Sequence, residues 1–447
     1  MVSEVQEQLG DVLRGRFPQT SAETRVLLES MRPVEIATLL ESIPPKARRV
    51  IWDLVDDDFS VQVLQFLHDD VSAELLETMN MAELVAIADE LETDDFADLL
   101  QQLPQTMIRQ VLDALDQSDR LRLEAVLSWP EDTAGGMMNT DTITVRPRHT
   151  ADVVLRYLRL RKEMPETTDA LIVVNDHDEY VGMLPLTALL TSDPSVNVRE
   201  IMNSEAEAIE VDASATTVAR IFAEQDLVSA AVVNHDGVVI GRITIDDVVD
   251  VIIEEADEAV LAPAGLDAEE DTFATARSTF PRRAIWLGIN LITAFLASAV
   301  INAFEGTIEK VVALAVLMPI VASMGGIAGT QTLTLVIRGI ALGHVARGNL
   351  RWLLSREFKV ACLNGLFWAI LVGFTTTWVF GDATLGIVLG IAMIINIITA
   401  AFAGTLLPGL LQRFGIDPAI AGGVILTTFT DVTGFFAFLG LATWAYA

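Results

Sequence analysis

Cysteine and lysine are almost missing from this chain: 447 residues contain one cysteine and four lysines. The lone Cys362 sits in an apolar run, which excludes an intrachain disulfide and a thiolate metal site. Any metal chemistry must therefore use oxygen ligands. The five histidines, His68, His149, His177, His235 and His344, are scattered without ligand spacing. No nucleophile stands beside a base either, so no catalysis is expected. Bases are scarce as well, 29 against 62 acids, and no nucleic-acid partner is expected. The opening "MVSEVQEQLGDVLRGRF" lacks an apolar core after a basic start, which predicts that the N-terminal part stays in the cytoplasm.

What the chain does have is acid and grease, kept apart. The formal charge is −33 while 51% of residues are hydrophobic, a combination one soluble domain would not carry. Beyond residue 280 there are only six acids (Glu305, Glu309, Glu357, Asp382, Asp417, Asp431) against nine bases. The first 280 residues therefore hold a net −36.

Five apolar segments, 284–304, 311–337, 360–380, 384–411 and 419–445, each approach or exceed the roughly 20 residues that span a bilayer as helix. Arg and Lys gather before the first, between the second and third (Arg347, Arg351, Arg356, Lys359) and before the fifth (Arg413), while "EGTIEK" and "GDA" nearly lack them. The positive-inside rule then puts the N-terminus in the cytoplasm and the C-terminus outside. In the second segment, Pro319, Gly325, Gly326 and Gly329 predict broken helix within the membrane, with close helix packing through small residues as the alternative. The fifth carries Asp431 about 12 residues in, or ~18 Å along a helix, which is mid-bilayer. An acid there costs on the order of 3 kcal/mol, so such groups usually face an interior and mark an ion or proton path. The alternative is a protonated Asp bonded to a neighbouring helix. Thr427 and Thr428, one turn earlier, offer further oxygens. Hard oxygen ligands favour Mg²⁺, Ca²⁺ or Mn²⁺, and Mg²⁺, which keeps its waters, suits a site of few charges. One carboxylate per chain suggests either one weak site or two chains sharing a pore, for which a symmetric dimer would supply a pair of Asp431 side chains.

Residues 137–255 repeat. "MMNTDTITVRPRHTADVVLRYL" restarts as "IMNSEAEAIEVDASATTVARIF", aligning Asn139 with Asn203, and "ALIVVNDHDEYVGMLPLTALL" restarts as "SAAVVNHDGVVIGRITIDDVV", aligning Gly182 with Gly241. Each copy reads strand, helix, strand, turn, strand, helix, and resembles a tandem cystathionine-beta-synthase (CBS) pair. In such modules a Ser/Thr-x-x-Asp step after the last strand commonly holds adenosine. The second copy has Thr244 and Asp247; the first has Pro185 and Ala188 instead. Residues 20–128 read as all-helical, with Asp94, Asp95 and Asp98 at a helix start, where acids also simply complement the helix dipole. After the repeat, Asp246, Asp247, Asp250, Glu254, Glu255, Asp257 and Glu258 crowd one helical stretch and repel one another. Divalent cations would relieve this; a solvated acidic face and adaptation to salt are the bland accounts.

The order of parts, with "EDTAGGMM" at 131–138, "GG-x-x-G-x-Q-x-x-T-L-x-I-R" at 325–338 and "DVTG" at 431–434, resembles the MgtE family of magnesium channels and transporters. The resemblance implies a multidomain membrane protein: an acidic, superhelical α-helical N-domain (1–130), a tandem α+β CBS domain (131–255), an acidic connecting or plug helix (256–281) and a transmembrane domain of five helices (282–447). It implies a homodimer in the bacterial plasma membrane whose second and fifth spans line a pore with Asp431 binding Mg²⁺. It further implies a gate closed by cytosolic Mg²⁺ held by Asp94, Asp98, Asp226, Asp247, Asp250, Glu255, Glu258 and Asp417, with a plug helix at about 267–280, and ATP as a regulator at Thr244 and Asp247. The pattern departs at Ile327, where the family commonly has Asn, and at Gly422 and Gly423. Alternatives are a CBS-regulated transporter of Co²⁺, Mn²⁺ or Ca²⁺, and a non-conducting membrane nucleotide sensor.

Overall fold

A computed structural model describes residues 21–161, 164–165, 167–266, 271–341, 344–345 and 348–447. The chain divides into two compact units.

The first unit begins with short helices, from α1 (Ser21–Glu29) to α9 (Gln117–Val126), most of eight to ten residues. Their starts are written in the sequence. Asn80 accepts from the backbone N–H groups of Ala82 and Glu83 while the Glu83 carboxylate accepts from the Asn80 N–H, and Asp116 caps α9 by accepting from the Ser118 and Asp119 N–H groups. Apolar positions at helical spacing form a core that continues into the second CBS module through Met137, Val211 and Phe222. A charged cluster lies inside this core. Arg48, fully buried, donates to Glu74 at 2.8 Å, to Asp271 at 2.9 Å and to the carbonyls of Leu40 and Ile43.

The repeat folds as two copies of one unit. Strands β1 (Thr144–Val145), β2 (Ala170–Val174) and β3 (Tyr180–Pro185) form one sheet, and β4 (Ile209–Glu210), β5 (Ser229–Val233) and β6 (Val239–Thr244) the other. In each, the first pair is parallel and the second antiparallel, with a bulge at the equivalent step, Val173/Val174 and Val232/Val233. The aligned asparagines do aligned work across the copies. Asn139 exchanges backbone bonds with Arg242 on β6, and Asn203 with Met183 on β3. The aligned glycines sit beneath these contacts. A Cβ at Gly182 would lie 2.4 Å from the Asn203 carbonyl, and one at Gly241 would lie 2.7 Å from the Met138 sulfur. The helix after β6, α14 (Ile245–Leu261), runs unbroken through the acidic stretch.

The second unit holds five helices long and apolar enough to cross a membrane: α15 (Ala276–Ala303), α17 (Ala313–Ala341), α18 (Leu350–Phe380), α19 (Ala383–Arg413) and α20 (Pro418–Ala445). The loop "EGTIEK" is itself a short helix, α16 (Glu305–Lys310). Helix α19 is the central one, packed on α17, α18 and α20. Helices such as α18 outrun the ~30 Å hydrocarbon layer at 1.5 Å per residue, so their polar first turns extend the apolar runs read from sequence.

Two sequence expectations change here. Helix α17 is continuous across Pro319, Gly325, Gly326 and Gly329 instead of broken, as expected where only in-helix partners satisfy the backbone. Its glycines serve close packing: a Cβ at Gly325 would strike Asn396, and one at Gly404 of α19 would meet the Gly329 carbonyl at 2.8 Å. Of the plug helix expected at 267–280, the described residues are helical only from 276 on. Residues 267–270 lie outside the described residues, 271–275 form no helix, and 276–280 are already the first turns of α15.

Candidate functional site

Two acidic features stand out, one in each unit. In the membrane unit, Asp431 is half-buried in an open groove between α17 and α20. Ser323, Gly326, Ile327, Thr330 and Gln331 line it from α17, and Thr427 from α20. Thr427 precedes Asp431 by four residues and shares its face; Thr428 does not line the groove, because three residues rotate it further round the helix. Both threonine hydroxyls donate to carbonyls of their own helix, Gly423 and Val424, which leaves their lone pairs free to accept. Among the described residues neither a cation nor a hydrogen-bond donor meets the Asp431 carboxylate. The alternative of a protonated Asp bonded to a neighbouring helix thus finds no partner here. Thr330 and Ser323 escaped the sequence reading, and Gln331 entered it only as a motif position, because polar side chains on a glycine-rich helix do not reveal which face they share.

In the first unit, helix α7 (Thr93–Gln101) opens with Asp94 and Asp95 and carries Asp98 one turn on. These face Asp246, Asp247 and Asp250 at the start of α14. Burial, then the charges of Asp247, Asp95 and Glu92, push the Asp94 carboxyl well above the usual range. Its Oδ1 is buried with no hydrogen-bond partner. Burial also raises Asp95 to about 6, against a hydrogen bond from Gln65 at 2.6 Å, with Glu92, Asp246 and Asp250 adding to the rise. Asp247 is raised to about 7, by burial first, although the Thr244 N–H and hydroxyl both donate to its Oδ2 at 3.0 Å. Asp98 keeps an exposed edge, yet dehydration of its carboxyl, then Glu131, Asp95, Asp247 and Asp69, raises it strongly. Exposed Asp250 is raised too, by dehydration and Asp246. Glu92 completes the crowd, held by Asn139 and 3.7 Å from Arg242. So many carboxylates cannot all ionise at close quarters without a counterion, and an orphaned buried oxygen on Asp94 fits a hard divalent cation.

The remaining expected ligands are exposed. Asp226 is the exposed C-terminal cap of α13 (Ala215–Gln225), in left-handed backbone at φ 52°. Glu255 and Glu258 are exposed on α14. Asp417 caps α20, accepting from the Ala419 N–H at 2.7 Å. For nucleotide, Thr244 and Asp247 bond to each other at the α14 start, the geometry of a helix cap. Neither lines the narrow cleft between the CBS modules, which is bordered by Asp141, Thr168, Ser229 and Arg242. The histidines are not wholly dispersed: His235 shares the surface of the second module with Glu210 and Asp212, their ligand atoms within 4.8 Å of one another. Sequence separation hid this, since β4 and the β5–β6 turn meet only in the folded sheet.

Comparison with known proteins matches three family descriptions in order: the MgtE intracellular N domain at 31–132, CBS domains at 134–194 and 198–254, and the MgtE divalent cation transporter at 318–441. The chain is 32% identical over 423 residues to the magnesium transporter MgtE of Thermus thermophilus, covering 94% of each, and 28% identical to that of Bacillus subtilis over 94% of this chain and 93% of the relative. Among solved structures, the cytosolic domain of the Mg²⁺ channel MgtE in complex with ATP is similar at 32% identity, covering 55% of this chain and 98% of that one, with TM-score 0.49. Near-complete coverage at this identity, together with the domain order, means that the chain belongs to the MgtE family, a family of transporters and not of enzymes.

Proposed function

We propose that this chain conducts Mg²⁺ through a bacterial plasma membrane as a homodimer, with its C-terminus outside, and that cytosolic Mg²⁺ closes it. The observation that carries this reading is the unpartnered Asp431 in a groove lined by hydroxyl and amide oxygens at mid-span. A groove open on one side cannot carry an ion through hydrocarbon, and a second copy related by a two-fold axis would close it and add a second Asp431. Such a site fits a cation that keeps most of its water and touches one or two carboxylates.

For closure, the acids of α7 and α14 repel when bare and attract through a shared divalent ion. Mg²⁺ at Asp94, Asp98 and Asp247 would therefore hold the N-domain against the second CBS module, and its loss would release it. Asp226, Asp250, Glu255, Glu258 and Asp417, exposed in one chain, are the groups left to bind Mg²⁺ between parts of the dimer. ATP would regulate from the second CBS module, at Thr244 and Asp247, so that nucleotide and Mg²⁺ share the latter residue. The domain limits near residues 130, 255 and 281 follow the same division of labour.

The test is dye-reported Mg²⁺ entry into proteoliposomes with Mg²⁺ varied on the cytoplasmic side. Entry that falls as that Mg²⁺ rises agrees with the proposal. Robust entry of Ca²⁺ or Mn²⁺ in preference to Mg²⁺, or no flux at all, contradicts it.

A further inference from the structure

Outside the groove's own lining, α19 presents an amide to the two helices that form it. Asn396 is completely buried near the middle of α19. Its Nδ2 donates to the Val321 carbonyl of α17 at 2.9 Å, and its Oδ1 has no partner. Two glycines make room for it. A Cβ at Gly325 of α17 would lie 2.1 Å from Nδ2, and one at Gly434 of α20 would lie 2.6 Å from the same nitrogen. Gly434 stands three residues after Asp431, and Gly325 lies between the groove-lining Ser323 and Gly326.

We infer that Asn396 is a positioning residue: wedged into notches on α17 and α20, it sets their separation at Asp431 and so the groove's discrimination among divalent cations. The inference rests on the reading of the groove as an ion path. An apolar side chain would fill the same space without leaving a buried acceptor unpaired, so packing alone does not account for an amide. The hydrogen bond fixes Asn396 to α17, while contact with Gly434 fixes the distance to α20. Ions that differ in size and in grip on their water respond differently to that distance. Val321 of α17 also comes close to Gly434, its Cγ1 3.2 Å from where a Cβ would lie, so the amide and this contact together space the two helices.

The test uses the full-length protein in proteoliposomes, comparing Mg²⁺ entry with Ca²⁺ and Mn²⁺ entry. Asn396→Leu should change the Mg²⁺/Ca²⁺ flux ratio by about threefold or more, the size of effect such supporting residues exert, while flux still requires Asp431. A change in protein amount or fold would scale both ions alike and leave the ratio fixed. Gly325→Ala should reduce flux by crowding the amide, and Gly325→Ala combined with Asn396→Ala should restore flux with an altered ratio. Should Asn396→Leu fail to fold, that pair decides the matter. A native ratio in Asn396→Leu, or in the double variant, overturns the inference. Flux independent of Asp431 in the otherwise unaltered protein would instead overturn the ion-path reading beneath it.

Discussion

The acidic cluster between α7 and α14 makes stability depend on pH in an unusual direction. Asp247 moves from 3.8 to about 7, and Asp94, Asp95, Asp98 and Asp250 rise with it. Groups whose carboxyls are raised on folding bind more protons in the folded state, so stability is fully present below the ordinary carboxylate range and declines as pH climbs. For Asp247 the window runs from about 4 to about 7. The shift corresponds to on the order of 4 kcal/mol against holding that carboxylate ionised, shared with the neighbours that cause it. The perturbation is Asp247→Asn, which removes the charge and keeps the shape. The assay is hydrogen exchange at the buried Leu99 and Leu100 amides of α7, corrected for intrinsic rates, in chelator at pH 5 and pH 8. The unaltered protein should lose protection between these values, and Asp247→Asn should lose distinctly less. Saturating Mg²⁺ at about 100 times its dissociation constant should return about 2.7 kcal/mol to the unaltered protein. Protection independent of pH in chelator, or a variant that tracks the unaltered protein, would refute the electrostatic reasoning.

Two further outcomes bear on packing. Arg48→Met should destabilise the first unit by about 3–5 kcal/mol in denaturant titration followed by Trp52 fluorescence, because the nearly buried Asp271 carboxylate loses its cation; adding Asp271→Asn should recover part of the loss. Gly386→Val should cost about 3 kcal/mol or more in detergent thermal melts, since its Cβ would fall 2.2 Å from the Thr377 hydroxyl and 2.4 Å from the Gly373 carbonyl, whereas Gly409→Ala, facing open space, should be near neutral.

Much of this architecture was legible in the residues because it rests on local patterns. Apolar length disclosed the five membrane helices, and the 64- and 59-residue offsets of the repeat disclosed two like modules, down to Asn139 and Asn203 making matching bonds. Asp431 stood out because an acid in hydrocarbon is costly enough to require a reason. What stayed hidden depends on which faces meet. Pro319 and the glycines of α17 looked like breaks, yet Gly325 and Gly329 gain meaning only against Asn396, Leu426 and Gly404 on other helices. Asn396 itself is one polar residue in an apolar run, with no pattern to single it out. Likewise Asp246, Asp247 and Asp250 read as a solvated acidic face until α7 is set opposite them, and His235 as isolated until β4 brings Glu210 beside it.

The central claim is that a hydrated divalent cation passes against the Asp431 side chain. Proteoliposomes loaded with a Mg²⁺-sensitive dye measure it most directly, comparing the unaltered protein with Asp431→Ala at matched incorporation. Entry should fall to the level of protein-free vesicles in the variant. Undiminished Mg²⁺ entry with alanine at this position would contradict the account.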